Sequence, residues 1–182
     1  MLALRSVLLA LAASAIGCDG AGAPDAGVPR AEEFRSERVE AMLEGASRVV
    51  RTRGFASEGV SWPGLAEGAD VWRGFLLEQG SEVRAIAMRS GSCYVVVAVG
   101  SSALRELDLR VFDGDGAEVA RDAEPGPAAA LRFCPAQSGG YFVAPRAAAG
   151  SGLFAVRAFR GPAGLEWSVS DAVRGLGAER SE

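Results

Sequence analysis

The sequence predicts a mainly β protein, an antiparallel β-sandwich of jelly-roll-like type with about eight strands, preceded by one α-helix. The first observation is that short extended runs, separated by turn-forming residues, recur at regular spacing between residues 62 and 160. The second is that apolar residues recur at helical spacing ahead of these runs, over residues 31–53. The predicted strands cover residues 71–77, 82–88, 93–99, 106–112, 117–121, 129–134, 141–145 and 153–159.

The chain opens with the features of an export signal. Arg5 precedes a short apolar run at residues 7–13, which is too short to span a bilayer as a stable helix, and small residues follow. The segment Ala15-Ile16-Gly17-Cys18 resembles the bacterial lipoprotein box, in which the cysteine is diacylated and becomes the first residue of the mature protein. Residues 1–17 are therefore expected to be a lipoprotein signal peptide, with Cys18 as the lipidation site.

A second cleavage site leaves an alternative open. Residues 13–15, Ala-Ser-Ala, form a site for ordinary signal peptidase, and cleavage there would give a soluble secreted protein with a free thiol at Cys18. The cysteine count favours lipidation, because it leaves Cys93 and Cys134 as one pair, which an oxidising compartment would close into a disulfide. That bond would close a loop of about 40 residues and stabilise the domain by roughly 4 kcal/mol.

The segments on either side of the predicted strands have distinct compositions. Residues 18–30 are small, polar and rich in Gly and Pro, which predicts a flexible tether between the lipid and the domain. Residues 31–54 predict an amphipathic helix that ends at Gly54. Residues 161–182 are expected to form a C-terminal extension, with one short strand around Trp167 and then a polar tail.

The apolar stripe of the helix has two interpretations. It could bind a partner and so assemble an envelope complex, but packing on its own domain is the more common role of such a stripe. Glutamates near the start of the helix and arginines near its end agree with the direction of the helix macrodipole. The stripe consists of Val39, Met42, Leu43, Ala46, Val49 and Val50.

Within the β-sandwich domain, assigned to residues 55–160, two strands show which side they bury. Residues 94–99, Tyr-Val-Val-Val-Ala-Val, are apolar on both faces, which indicates a central strand. Residues 106–111 alternate between charged and apolar side chains, as in a strand with one buried face. On the same reasoning Leu131 and Phe133 face the core, so Cys134 would turn away from it, onto an outer face or a strand end.

Three segments between residues 70 and 160 carry a family resemblance. Residues 106–116, Glu-Leu-Asp-Leu-Arg-Val-Phe-Asp-Gly-Asp-Gly, form a strand and turn, residues 138–143 contain Gly-Gly-Tyr, and residues 150–156 form a closing strand. Together they resemble the bacterial pre-peptidase C-terminal domain family. The resemblance implies a small, non-catalytic β-sandwich of exported proteins, some members of which bind calcium or extracellular polymers.

The Asp-Gly-Asp-Gly turn at residues 113–116 is the best candidate for a metal site. Calcium binds several hard oxygens, and Asp108, Asp113, Asp115 and Asp122 could supply some of them. An EF-hand loop is incomplete here, because Ala117 and Val119 offer no side-chain oxygen, although Glu124 stands where the last ligand of such a loop would be. Asp-Gly is also the strongest short hairpin signal, so a plain turn is favoured over a calcium site, and no metal or cofactor is predicted.

The composition excludes several classes of function. The 182 residues carry a formal net charge of −4, which argues against nucleic acid as a partner. The chain has no His and no Lys, so a Ser-His-Asp triad, a His-ligated zinc, a Schiff-base lysine and a P-loop are all excluded. A carboxylate-dependent hydrolase stays open, and Trp62, Trp72 and Trp167 could stack on a sugar, although core packing is the more common role for at least two of them.

These observations predict a non-catalytic lipoprotein of the bacterial cell envelope, with no catalytic residues. Its partners are expected to be a membrane, reached through the lipid at Cys18, and an envelope protein or polymer that binds the β-sandwich. The outer membrane is favoured over the inner one. The alternatives are a soluble secreted protein, a structural component assembled through the helix at residues 31–53, and a carboxylate-dependent hydrolase.

Overall fold

The computed structural model describes residues 36–57, 60–66 and 69–164. The predicted signal peptide, the lipidation site at Cys18, the tether, the first residues of the predicted helix and the strand around Trp167 lie outside the described residues. They stay predictions.

One helix and eight strands make up the described part of the chain. The strands form two four-stranded antiparallel sheets, sheet A with the order β1-β8-β3-β6 and sheet B with the order β2-β7-β4-β5. The predicted fold class is confirmed, and each predicted strand has its counterpart. The elements are α1 (Ser36–Thr52), β1 (Val71–Leu76), β2 (Arg84–Met88), β3 (Ser92–Gly100), β4 (Leu104–Phe112), β5 (Glu118–Asp122), β6 (Ala128–Phe133), β7 (Gly139–Gly150) and β8 (Gly152–Pro162).

The central strand β3 is buried along both of its faces, as its sequence predicted. Tyr94, Val96 and Ala98 belong to the apolar core between the two sheets. Val95 and Val97, which alternate with them, belong to a second core on the outer face of sheet A. The sandwich therefore needs a third layer to cover this outer face.

Helix α1 is that third layer. Val39, Leu43, Ala46 and Val50 are all buried, and they share a core with the outer-face residues of sheet A, while Met42 is partly buried against the same core. The stripe packs on its own domain, as the more common of its two interpretations expected. Assembly of an envelope complex through the helix stays a prediction. No helix in the part of the chain that the structure describes is long and apolar enough to cross a membrane.

The predicted disulfide joins β3 to the residue that follows β6. In the β3–β6 register Tyr94 lies opposite Phe133, so the next pair of opposed residues is Cys93 and Cys134, whose sulfur atoms are bonded. Cys93 is 0% exposed and belongs to the core beneath α1, whereas Cys134 is exposed. The bond therefore lies on the outer face of sheet A at a strand end, which agrees with Leu131 and Phe133 facing the sandwich core.

We expect Leu43→Ala to lower the free energy of unfolding by about 2–5 kcal/mol, because it leaves a cavity under the helix. Leu77→Ala is the matched control, since Leu77 is 69% exposed, and it should change stability by less than about 0.5 kcal/mol. Urea unfolding followed by circular dichroism measures both. Equal, small effects would show that α1 does not pack on sheet A.

Candidate functional site

A group of charged side chains lies between α1 and sheet A. Arg157 of β8 has a side chain only 12% exposed, and its guanidinium lies 3.0 Å from the Glu44 carboxylate and 3.2 Å from that of Asp70. It also donates a hydrogen bond of 2.8 Å to the Ser47 hydroxyl, and that hydroxyl donates in turn to the Leu43 carbonyl. The charged groups of this cluster are paired, so it fastens the helix to the sheet.

A second ion pair continues this attachment along the helix. The Arg73 guanidinium donates two hydrogen bonds to the Glu40 carboxylate, one to each oxygen. The bond from Arg73 lowers the pKa of Glu40, and the bonds from Arg157 and Arg51 lower the pKa of Glu44. The same contact with Glu40 raises the pKa of Arg73.

The sequence left Asp108 as a possible calcium ligand, but the structure places it on the outer face of sheet B. Its carboxylate is buried beside two guanidinium groups, 3.2 Å from Arg146 and 3.7 Å from Arg110. Asp122 is buried as well, and its carboxylate accepts hydrogen bonds from the N–H groups of Ala130 (2.7 Å) and Glu124 (3.2 Å). Both carboxylates therefore stabilise the sandwich.

A cleft of about 550 Å³ opens at one end of the sandwich. It lies between the β4–β5 turn and the connection from β6 to β7, two segments that are about 20 residues apart in the chain. Its lining combines two carboxylates, an amide, a hydroxyl and apolar side chains. The lining residues are Asp113, Gly114, Asp115, Val119, Phe133, Cys134, Ala136, Gln137, Ser138, Gly139, Gly140 and Tyr141.

The first wall of the cleft is the Asp-Gly-Asp-Gly turn. The Asp113 carboxylate accepts hydrogen bonds from the N–H groups of Asp115 (3.0 Å) and Ala117 (2.9 Å), and Gly116 has a φ of +85°. The prediction of a hairpin turn is confirmed. Only Asp113 and Asp115 of the four candidate calcium ligands line the cleft. No cluster of three or more His, Cys, Asp or Glu side chains among the described residues could hold a metal ion.

The second wall is the connection from β6 to β7, which is fastened at three points. Cys134 is bonded to Cys93 at its start. The Ser138 hydroxyl accepts a hydrogen bond of 2.9 Å from the Ser90 N–H and lies 3.1 Å from the Ser90 hydroxyl. The Tyr141 hydroxyl donates to the Gln137 carbonyl at 2.9 Å. These attachments hold the wall in place.

The floor of the cleft is apolar, and one side of it lacks side chains. The rings of Phe133 and Tyr141 lie 5.3 Å apart between centroids, and Val119 is 38% exposed beside them. At Gly139 and Gly140 an added Cβ would meet nothing within 4 Å, so the backbone there borders open space. A ligand could approach the main chain at this point without displacing a side chain.

Trp62 and Trp72, the two tryptophans that the structure describes, do not form the sugar-stacking surface that the sequence left open. Trp62 and Trp72 are buried in the sandwich core, with ring centroids 5.6 Å apart. The Trp62 indole N–H donates to the Asp70 carbonyl, and Trp72 packs edge-on against Phe154. Trp167 lies outside the described residues, so its role stays a prediction.

The sequence predicted the turn and the cysteine pair but not the cleft that they border. Gln137 and Ser138 lie in a connection that the sequence marked only as turn-forming. Val119 was expected in a strand, and it lines the cleft because the β4–β5 register shifts between Val111 and Phe112. A register shift of this kind leaves no periodic signal in the sequence.

No family model and no curated protein matches this chain. Among solved structures it is similar to the pre-peptidase C-terminal domain of a collagenase from Bacillus anthracis, at 12% identity and a TM-score of 0.41, covering 48% of this chain and 86% of that domain. It is also similar to PliG, a periplasmic inhibitor of g-type lysozyme from Aeromonas hydrophila, at 18% identity and a TM-score of 0.36, covering 52% and 90%. At these values the likenesses carry no argument about a ligand. The first is to the family that the strand and turn motifs resemble.

We expect the domain to become less stable as the pH is lowered, because the Glu40 and Glu44 carboxylates have lowered pKa values in the folded state. Their contribution is complete above the unfolded pKa and is lost as the pH falls from about 5 through the lowered values. The double variant Glu40→Gln/Glu44→Gln should therefore be less stable at neutral pH and lose less stability on acidification.

Urea unfolding at several pH values between neutral and acid measures this effect. Glu37→Gln, an exposed position on the first turn of the same helix, is the matched control and should keep the acid dependence of the parent protein. An unchanged pH dependence in the double variant would contradict the attribution to these two ion pairs.

Proposed function

We propose that this protein is a non-catalytic binding module, tethered to the bacterial envelope by a lipid at Cys18, that binds a protein or a polymer in the cleft at the end of its β-sandwich. The single observation that carries the proposal is the cleft itself. It is already formed, hydrogen bonds fix its first wall, and a disulfide and hydrogen bonds fix its second wall. Its lining combines apolar and polar side chains.

The rigidity of the walls supports binding. Loops that are fixed before a ligand arrives lose little conformational entropy on binding, so more of the contact energy contributes to affinity. Here the Asp113 carboxylate fixes one loop from within, and the disulfide to Cys93 fixes the other. An apolar floor with a few placed polar groups is the usual lining of a binding cleft.

The polar groups of the cleft support binding over catalysis. Its two carboxylates, Asp113 and Asp115, belong to one short turn, and the first of them already accepts two hydrogen bonds from the backbone of that turn. A glycoside hydrolase instead places its two carboxylates on opposite sides of the bond that it cleaves. The lining offers hydrogen-bonding groups in Gln137 and Ser138 and a free approach to the main chain at Gly140.

The envelope location in the proposal comes from the sequence. Several long acyl chains on Cys18 would anchor the protein stably, since each buried methylene contributes about 0.8 kcal/mol. A disulfide between Cys93 and Cys134 suits an oxidising compartment outside the cytoplasm. Both features agree with a domain that meets its ligand in the envelope.

Photo-crosslinking tests the proposal in cells that export the protein. Gly140, in the cleft, and Ala41, on the exposed face of α1, are each replaced by p-benzoylphenylalanine. We expect a discrete adduct from position 140 and none from position 41, because only the first position borders the cleft.

The companion variant Gly140→Trp is chosen to obstruct the cleft, because Gly140 lines it and an added Cβ there meets nothing within 4 Å. With a crosslinking residue at Gln137, which also lines the cleft, as the reporter, Gly140→Trp should lower the adduct yield at least about tenfold. Ala41→Trp should leave the yield unchanged. Equal labelling from positions 140 and 41, or an adduct that survives Gly140→Trp, would contradict binding in the cleft.

A further inference from the structure

We propose that the Cys93–Cys134 disulfide is a redox switch for the cleft: a thiol reductant enters at Cys134, and reduction releases the wall formed by residues 134–138 while the sandwich stays folded. The effect on ligand binding rests on the proposed function above. Reduction of the disulfide does not rest on the proposed function, because it depends only on the surroundings of the two sulfur atoms.

The two cysteines of the disulfide differ in their exposure to solvent. Cys134 is exposed and lines the cleft, whereas Cys93 is 0% exposed and lies in the core between α1 and sheet A. Thiol–disulfide exchange needs an attacking thiolate to reach one of the sulfur atoms. Because Cys93 is fully buried and Cys134 is an exposed residue, the proposal places the attack at the Cys134 sulfur, which expels the Cys93 sulfur.

The positively charged side chain of Arg132 lies beside the Cys93 sulfur, which is the leaving group. The Arg132 guanidinium lies on the same outer face, since Arg132 is opposite Val95 in the β3–β6 register, and its Nη2 is 3.5 Å from the Cys93 sulfur. A buried thiolate without a partner would be costly to form. The guanidinium stabilises the thiolate and makes Cys93 a better leaving group.

The exchange balances with a dithiol as reductant. A reductant thiolate attacks the Cys134 sulfur, the Cys93–Cys134 bond breaks, and Cys93 leaves as a thiolate while a mixed disulfide forms on Cys134. The second thiol of the reductant then attacks the mixed disulfide and closes its own disulfide. Two electrons pass to the protein, and its two sulfurs end as thiols after protonation.

The wall depends on this bond more than the fold does. Without it, the connection from β6 to β7 keeps the burial of Pro135, the Ser138–Ser90 contacts and the bond from Tyr141 to Gln137. Neither apolar core contains Cys134, and the β3–β6 pairing continues from Tyr94 to Val99. Reduction should therefore loosen one wall of the cleft and leave both sheets paired.

Mapping of mixed disulfides tests the point of entry. The exported, processed protein is incubated with reduced glutathione without denaturant, quenched in acid, alkylated and analysed by peptide mass. We expect glutathione on Cys134 and a free thiol at Cys93. Glutathione on Cys93, or a bond that resists reduction until the domain unfolds in denaturant, would overturn the switch.

Arg132 variants test the stabilised leaving group. Arg132→Gln should slow the reaction with glutathione by about three- to tenfold, and Arg132→Lys should retain most of the rate. Arg121→Gln, on an exposed residue of β5, is the matched control and should react like the parent. Equal rates for Arg132→Gln and its control would overturn the role of the guanidinium.

Hydrogen exchange and crosslinking test the consequence. After reduction by dithiothreitol, exchange should rise at least about tenfold in residues 134–138 and stay unchanged in β3 and β4. Unchanged exchange at 134–138 would overturn the switch. A crosslink from position 140 that is absent in both redox states would count against the proposed function alone, whereas an equal yield in both states would overturn control of the cleft by the disulfide.

Discussion

The structure depends on the burial of β3 from both sides. Its side chains are apolar in both directions, so one set must pack against sheet B and the other against a separate cover. A four-stranded sheet with one such strand cannot leave its outer face in water without exposing a large apolar surface. Helix α1 covers that face, and the ion pairs of Glu40 and Glu44 hold the helix in register with β1 and β8.

The burial of β3 under the helix also explains why a large residue and a glycine that are far apart in the chain fit together in the outer core. Phe55, just after the helix, packs in the outer core, and an added Cβ at Gly161 of β8 would lie 2.5 Å from its ring. A glycine is therefore required where the ring meets the sheet. Cys93 occupies the end of the same core and carries the covalent link to the connection that borders the cleft. Helix α1, sheet A and the cleft wall thus meet at this outer core.

Much of this fold could be predicted because its strands carry local signals. The run from Tyr94 to Val99 indicated a strand buried on both faces, and the Asp-Gly turn at residues 113–116 indicated a hairpin. The length of β7 could not be predicted, since the residues from Ala147 to Gly150 are too small to show a period of two. The pairing order of the strands is set by contacts distant in sequence, which a local pattern does not contain.

The candidate site was harder to predict for the same reason. Its lining comes from the β4–β5 turn and from the connection between β6 and β7, and only the packing of the two sheets brings them together. The contact between Arg132 and Cys93 depends on the register of β3 against β6, which the sequence does not specify. The cysteine pair itself followed from counting, because lipidation of Cys18 leaves two cysteines to bond with each other.

We propose that the β-sandwich, with its disulfide formed, is attached to a membrane by a lipid at Cys18. The most direct test is the intact and peptide mass of the protein extracted natively from membranes without a reducing agent. We expect a lipid-modified Cys18 as the first residue and a disulfide that links Cys93 to Cys134. Cleavage after Ala15 with an unmodified Cys18, or free thiols at Cys93 and Cys134, would contradict it.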